Sequence, residues 1–246
     1  MSIIEDVKIN LEKLKKNSYP GRGIIIGKTP TTNKVVQVYW IMGRSEGSRN
    51  RYFEIEDNKF VKTKIFDESK INKEDLSLIV YHPVKYFNNY HIVSNGDQTD
   101  TIYYNLKNGK TFEDSIDERK YEHDKPNYTP RISGIVNLTD KFYKYKLSII
   151  KTIDNNPEVF QRNYFNYINF MNGFGYCITT YKNDGNPIPS FEGEPFIVEI
   201  FDDIDETLNY YWELLNSENK VSILVKYFNS INNIDIKIKN KNISKI

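Results

Sequence analysis

The chain has 246 residues, with 34 basic side chains against 33 acidic ones and a single cysteine. Charges this evenly balanced leave no electrostatic footprint for nucleic acid or an anionic membrane. One cysteine excludes an intrachain disulfide and a cysteine-based metal cluster, which fits a reducing, cytoplasmic setting. No apolar run approaches the roughly 20 residues of a membrane helix, and the acidic, polar start Ser2-Ile3-Ile4-Glu5-Asp6 does not read as a signal peptide.

Residues 2–17 have the spacing of a short amphipathic helix. Val7, Leu11 and Leu14 recur on one face, and Lys15, Lys16 and Asn17 close it where cations oppose the helix dipole. Ser2 reads as its N-cap rather than as an N-terminal nucleophile freed by loss of Met1, because it precedes a polar helix far from the first strand. Pro20-Gly21 breaks the chain. Residues 23–27 then read as a buried strand, 35–42 as its antiparallel partner and 29–33 as the turn between them. Further strands are expected at 51–55, 59–65, 77–81, 87–93, 133–138, 142–150 and 174–181. A helix is expected over 111–121, where Thr111 and Asp114 form a capping-box variant. Another is expected over 203–216, where Ile204, Leu208, Tyr211 and Leu215 share a face. Residues 231–246 read as a strand or a fraying helix end. Neither a linker nor a repeat interrupts this order. The expectation is one α+β domain of mostly antiparallel strands, with a helical extension at 1–19, a core at 20–200 and a C-terminal helix and tail at 201–246. Several strands are apolar at consecutive positions, so both sheet faces need cover.

Arginine is concentrated where chemistry is expected. Four of the seven, Arg22, Arg44, Arg49 and Arg51, fall within thirty residues beside Gly and Ser, in a chain that otherwise uses Lys. A guanidinium grips phosphate or carboxylate through two parallel hydrogen bonds, and Gly lets backbone approach an oxyanion. The cluster is a phosphate site or a solvated charged loop. It is neither a Walker loop nor a dinucleotide fingerprint, because the required glycines are missing. Asn95-Gly96, set in the polar run at 93–100 after an aromatic segment, reads as a sharp reversal with positive φ angles. Its polar side chains suit either solvent or a ligand at the mouth of a sheet. The segment 121–132 gathers Glu122, His123, Asp124, Lys125 and Arg131 between a helix and a strand, with Pro126 and Pro130 fixing extended geometry, as a rigid loop for acid–base work or as a solvated connector. His82, His91 and His123 lack metal-ligand spacing, and Cys177 lies in an apolar strand as a small core residue.

Taken together, these segments resemble the archaeal-type IMP cyclohydrolase family. The likeness runs through Gly21-Arg22-Gly23, Arg44-Ser45, Asn50-Arg51, the segment from Pro83 to Asn88, Ser94-Asn95-Gly96 with Thr99-Asp100, and Glu122 with Asp124 and Thr129-Pro130-Arg131-Ile132. The resemblance implies an N-terminal-nucleophile-hydrolase-like, four-layer αββα sandwich with two antiparallel sheets, used without that nucleophile. It also implies ring closure of 5-formamidoimidazole-4-carboxamide ribotide to inosine monophosphate, with loss of water and with neither metal nor other cofactor. Arg51, Tyr86 and Glu122 would be catalytic. Arg22, Arg44, Ser45, Asn50, Ser94, Asn95, Gly96, Thr99, Asp100, Asp124 and Arg131 would bind the substrate. The sequence departs from the family in residues 42–50, in the N-terminal helix and in the segment 161–196, which completes the pocket or serves a subunit contact. The alternatives are an amidohydrolase acting on a related nucleotide and a nucleotide-binding protein without catalysis. The expected partner is a nucleotide, with no nucleic acid and no membrane, and aromatic residues around 164–176 suit a homo-oligomer interface.

Overall fold

The computed structural model describes residues 2–56, 60–70 and 76–243. Two antiparallel sheets lie face to face. The six-stranded sheet runs in the order β11 (Phe196–Glu199), β10 (Phe174–Thr179), β1 (Gly23–Lys28), β2 (Val35–Met42), β12 (Lys220–Ser230) and β13 (Asn233–Asn240). The seven-stranded sheet runs in the order β3 (Arg51–Glu56), β4 (Phe60–Ile65), β5 (Val84–Phe87), β6 (Tyr90–Ser94), β7 (Arg131–Asn137), β8 (Tyr145–Ile153) and β9 (Asn156–Tyr167). The fold is therefore α+β with two antiparallel sheets and few helices.

Strand periodicity sorts the side chains into layers. Ile24, Ile26, Tyr39, Ile41 and Leu224 point between the sheets and meet Val84, Val93, Ile132 and Leu147 from the other side. The alternate residues Ile25, Val38, Trp40, Ile223 and Val225 face outward, beneath α1 (Ile3–Lys16) and α6 (Ile204–Leu214). The outer face of the second sheet carries Ile92, Ile135 and Ile150 under α4 (Gln98–Lys107) and α5 (Phe112–Asp117). Double cover explains why β1, β2 and β12 are buried at consecutive positions rather than at alternate ones.

Local chemistry sets several helix starts. Ser2 and Glu5 close a capping box on α1, and Thr111 and Asp114 close one on α5. Asp203 caps α6 by accepting from the Glu206 amide. Other expectations need correction. Residues 77–81 hold no strand; the short helix α3 (Leu76–Ile79) lies there. The run at 87–93 is split by a turn in which Asn88 adopts φ 48°, dividing β5 from β6. Asn95 and Gly96 make no positive-φ hairpin turn, and they carry the chain from β6 into α4. The structure adds α4, β9, β11 and β12, none of which was expected, and it shows residues 233–240 as strand. Position 59, expected in a strand, and positions 244–246 of the tail lie outside the described residues. α2 (Glu46–Arg49) is a single turn between β2 and β3. Among the described residues, no helix is long and apolar enough to cross a membrane.

Candidate active site

Four segments meet at one end of the sandwich: the lead into β1, the α2 turn with the start of β3, residues 78–81, and the loop at 122–131. They enclose a cavity of about 510 Å³ lined by Arg22, Ser45, Ser48, Arg51, Ile79, Glu122 and the rim residues His123, Asp124 and Lys125. Packing fixes the lead into β1. Gly21 adopts φ 75°, and a Cβ there would come within 2.2 Å of Thr180 Oγ1. A Cβ on Gly23 would come within 1.9 Å of the Trp40 ring. The glycines flanking Arg22 thus serve close contact with β10 and β2. Arg22 itself is clamped by its backbone, its amide donating to Thr180 Oγ1 (3.0 Å) and its carbonyl accepting from the Thr180 amide (2.9 Å).

Arg51 and Glu122 are each only 1% exposed. Arg51 Nε donates to the Ser48 carbonyl at 2.9 Å. Its Nη1 and the Nε of Arg22 are buried without a hydrogen-bond partner in the protein. Unsatisfied guanidinium donors at a cavity wall are matched to an incoming acceptor. Burial pushes the Glu122 carboxyl up to about 7, against the opposing pull of Arg22, Arg131 and Arg51. Burial, reinforced by the charge of Arg22, lowers Arg51. Burial works the same way on Arg22, but Glu122, Tyr19, Tyr181 and Tyr81 outweigh it and hold that guanidinium well above its ordinary value. The Tyr39 and Tyr81 hydroxyls share a 2.7 Å hydrogen bond, and both interact electrostatically with Arg51. The result is a carboxyl that exchanges its proton near neutrality in the field of the Arg22, Arg131 and Arg51 guanidiniums.

The remaining expected residues divide by position. Ser45 and Asp124 line the cavity. Asp124 accepts from the Thr129 amide at 2.7 Å and from its hydroxyl at 2.5 Å, which fixes the loop behind Glu122. Asn95 supports rather than lines the cavity: its Nδ2 donates to the Pro130 carbonyl (2.9 Å) and lies 3.4 Å from Glu122 Oε1, while its Oδ1 accepts from the Ile132 amide (2.8 Å). Ser94 and Thr99 bond each other at 2.5 Å. Arg131 bonds Gln98 and Asp97, and a Cβ on Gly96 would come within 2.6 Å of Arg131 Nη1. Asn50 bonds the Asp67 backbone in both directions. Asp100 pairs with Lys85 at 2.5 Å. Arg44 pairs with Asp184 and donates to the Gly185 carbonyl at 2.8 Å. None of Asn50, Ser94, Asn95, Gly96, Thr99, Asp100, Arg131 and Arg44 is among the residues lining the cavity.

Tyr86 also lies elsewhere, between the sheets. Its ring stacks on His91 at 5.5 Å, and Lys226 Nζ sits 4.9 Å from its centroid. Phe228 stacks on the other face of His91 at 3.7 Å. Lys226 Nζ and both His91 nitrogens are buried without a partner. Burial pushes the Lys226 amine down to about 7 and the His91 imidazole down to about 2. Tyr81, which like Tyr19 interacts electrostatically with both Arg22 and Arg51, lies outside the cavity lining and was not singled out by the sequence. Its position in the dipeptide Tyr81-His82, just before Pro83, is the only local signal it carries.

An α+β protein with a near-neutral buried acid, two fixed guanidiniums and an open cavity is built for proton transfer on a small anionic molecule. The model of the IMP cyclohydrolase-like protein family matches residues 19–232, and the chain belongs to that family. Membership implies a cyclohydrolase-related enzymatic role. No curated protein matches the chain.

Proposed function

We propose that the chain is an IMP cyclohydrolase that closes 5-formamidoimidazole-4-carboxamide ribotide to inosine monophosphate, on an N-terminal-nucleophile-hydrolase-like αββα scaffold. The observation that carries this reading is the Glu122 carboxyl, buried between Arg22 and Arg51 and titrating at about 7. The carboxamide nitrogen attacks the formyl carbon, and a C–N bond forms while a proton leaves that nitrogen. Glu122 takes the proton; a base is most effective when its pKa lies near the working pH. Negative charge builds on the formyl oxygen, and the Arg51 guanidinium, whose Nη1 has no partner in the protein, meets it. That oxygen then departs as water, taking one proton from protonated Glu122 and one from the Tyr81 phenol, and the phenolate left in the Tyr81–Tyr39 pair takes the proton that the formamide nitrogen loses as the double bond forms. Lys125, His123 and Ser48 at the rim receive the 5′-phosphate. In this assignment Tyr81 replaces Tyr86 as the tyrosine donor.

The capped position of Ser2 at the start of α1 supports catalysis without an N-terminal nucleophile. The test is direct. Purified protein is mixed with the formamido ribotide, and formation of inosine monophosphate is followed in the ultraviolet. The expected result is turnover that Glu122→Gln removes. Tight binding of the ribotide with no turnover at any pH from 6 to 9 would overturn the reading in favour of a binding protein.

A further inference from the structure

Asn95 and Gln98 are both fully buried and neither lines the cavity, yet they link the surface to Glu122 through an unbroken chain of polar contacts. At the outer end Asp97 pairs with Arg119 at 2.5 Å and with Arg131 Nη1 at 2.8 Å. The same Nη1 donates to Gln98 Oε1 at 2.6 Å, Gln98 Nε2 donates to Asn95 Oδ1 at 2.9 Å, and Asn95 Nδ2 reaches Glu122 Oε1 at 3.4 Å. Arg131 fixes the direction of these links. A guanidinium can only donate, so Gln98 must turn its oxygen to Arg131 and its nitrogen to Asn95. That nitrogen and the Ile132 amide, which reaches the same Asn95 oxygen at 2.8 Å, are both donors, so Asn95 must offer them Oδ1. Its Nδ2 is left to donate to the Pro130 carbonyl at 2.9 Å and to Glu122. Both lone pairs of Oδ1 and both hydrogens of Nδ2 are then committed, and Asn95 has no capacity left for a substrate.

The consequence falls on Glu122. Its Oε1 faces an N–H, and an amide nitrogen accepts no hydrogen bond, so a proton on Oε1 would point at a donor. Among the described residues, no hydrogen bond reaches Oε2. We propose that Asn95 and Gln98 are positioning residues that make Oε2 the oxygen on which Glu122 takes up and returns its proton. With Glu122 as the base of the ring closure proposed above, on which this assignment rests, the proton leaves the carboxamide nitrogen for Oε2. It then passes from Oε2 to the departing formyl oxygen, which regenerates the carboxylate. The 3.4 Å contact is the longest link of the chain, and contacts of this kind tighten when substrate is bound.

The test is the pH profile of kcat/KM for the formamido ribotide, measured on wild type, Asn95→Leu and Gln98→Met, with circular dichroism to check that each is folded. Loss of the donor to Oε1 disfavours the ionised carboxylate, so the acid limb is expected to move up by about one pH unit in Asn95→Leu and by less in Gln98→Met. KM is expected to stay within about threefold of wild type. A loss of rate by the same factor at every pH, with the limb unmoved, would reduce both residues to a structural role and overturn the proposal. A raised KM with the limb unmoved would make Asn95 a substrate ligand and overturn it too. Glu122 is also titrated without substrate by infrared difference spectroscopy, its carboxyl band assigned by its absence in Glu122→Gln. In Asn95→Leu the midpoint is expected to shift the same way, and the C=O stretch to rise in wavenumber as Oε1 loses its donor. An unmoved band in the folded variant would overturn the proposal even if wild type turns the ribotide over. A wild type without turnover would instead overturn the proposed reaction and leave the band to decide the protonated oxygen. If Asn95→Leu does not fold, Gln98→Met carries the same tests.

Discussion

Two buried cationic sites lie in this sandwich, and they meet the same electrostatic difficulty in different ways. At the open end, Arg22 and Arg51 have Glu122 beside them and a cavity in front of them. Between the sheets, Lys226 has the faces of Tyr86 and Phe228, at 4.9 and 5.0 Å, and no acid. A guanidinium does not shed its proton, so the first site must hold charge and therefore needs a counter-ion or a ligand. An amine can shed its proton, and burial alone takes Lys226 down to about 7. The contrast separates a site kept polar for work from one that lowers its own charge to stay buried.

The largest expected effect tests the working site. Glu122→Gln should cost about 10²–10⁴-fold in kcat for ring closure, the range of a general base, with ribotide binding largely kept; a loss under tenfold would remove Glu122 from the chemistry. Tyr81→Phe should lower kcat by about tenfold or more, while Tyr86→Phe should leave it near wild type. Equal effects of the two substitutions on the same assay would erase the distinction between the two regions. Asn95→Ala removes the side-chain bonds to Pro130, Ile132 and Gln98 and should destabilise the fold by roughly 2–3 kcal/mol in urea unfolding.

The smallest expected effect comes from pH. Glu122 has a raised pKa, so the folded state binds the extra proton, and stability should fall as pH rises from the ordinary glutamate value towards about 7. That slope should be absent in Glu122→Gln. Lys226 has a lowered pKa, so the unfolded state binds the extra proton, and stability should rise with pH from about 7 towards the ordinary lysine value. Lys226→Met should therefore stabilise by roughly 1–3 kcal/mol near neutrality, with the gain vanishing at high pH. Melting curves at several pH values measure both slopes; a Lys226→Met gain that persists at high pH would mean packing rather than charge is responsible.

The sequence revealed these parts unevenly, for physical reasons. Helix α1, the capping boxes and the paired strands β1 and β2 were legible because their patterns are local. Strand β12 was not, because Ser222 and Lys226 interrupt its apolar run, and the facing rings of Tyr86 and Phe228 make Lys226 tolerable inside it. Helix α4 was hidden because Asn95-Gly96 imitates a hairpin turn. The cue that decides its conformation is long-range, since Asn95 bonds Pro130 and Ile132 across the sheet. In the site, Arg22, Arg51, Glu122, Asp124 and Ser45 could be picked out as polar residues at breaks between apolar segments, and all five line the cavity. Tyr81 lies in the loop before β5 and Tyr86 on the strand itself, and which of the two comes near the arginines is set by packing that no residue type records.

The hydroxyl of Thr129 lies 2.5 Å from Asp124 Oδ2 and 2.5 Å from Tyr181 Oη. It has one proton to give, and a carboxylate can only accept, so the proton goes to Asp124 and the Tyr181 phenol must donate in turn. The three groups form a one-way relay that fastens the end of β10 to the loop before β7, and so one sheet to the other. A change at position 181, which is not part of the cavity lining, is therefore felt by the carboxylate two residues from Glu122. The loop that carries the working group is held in place from the opposite sheet.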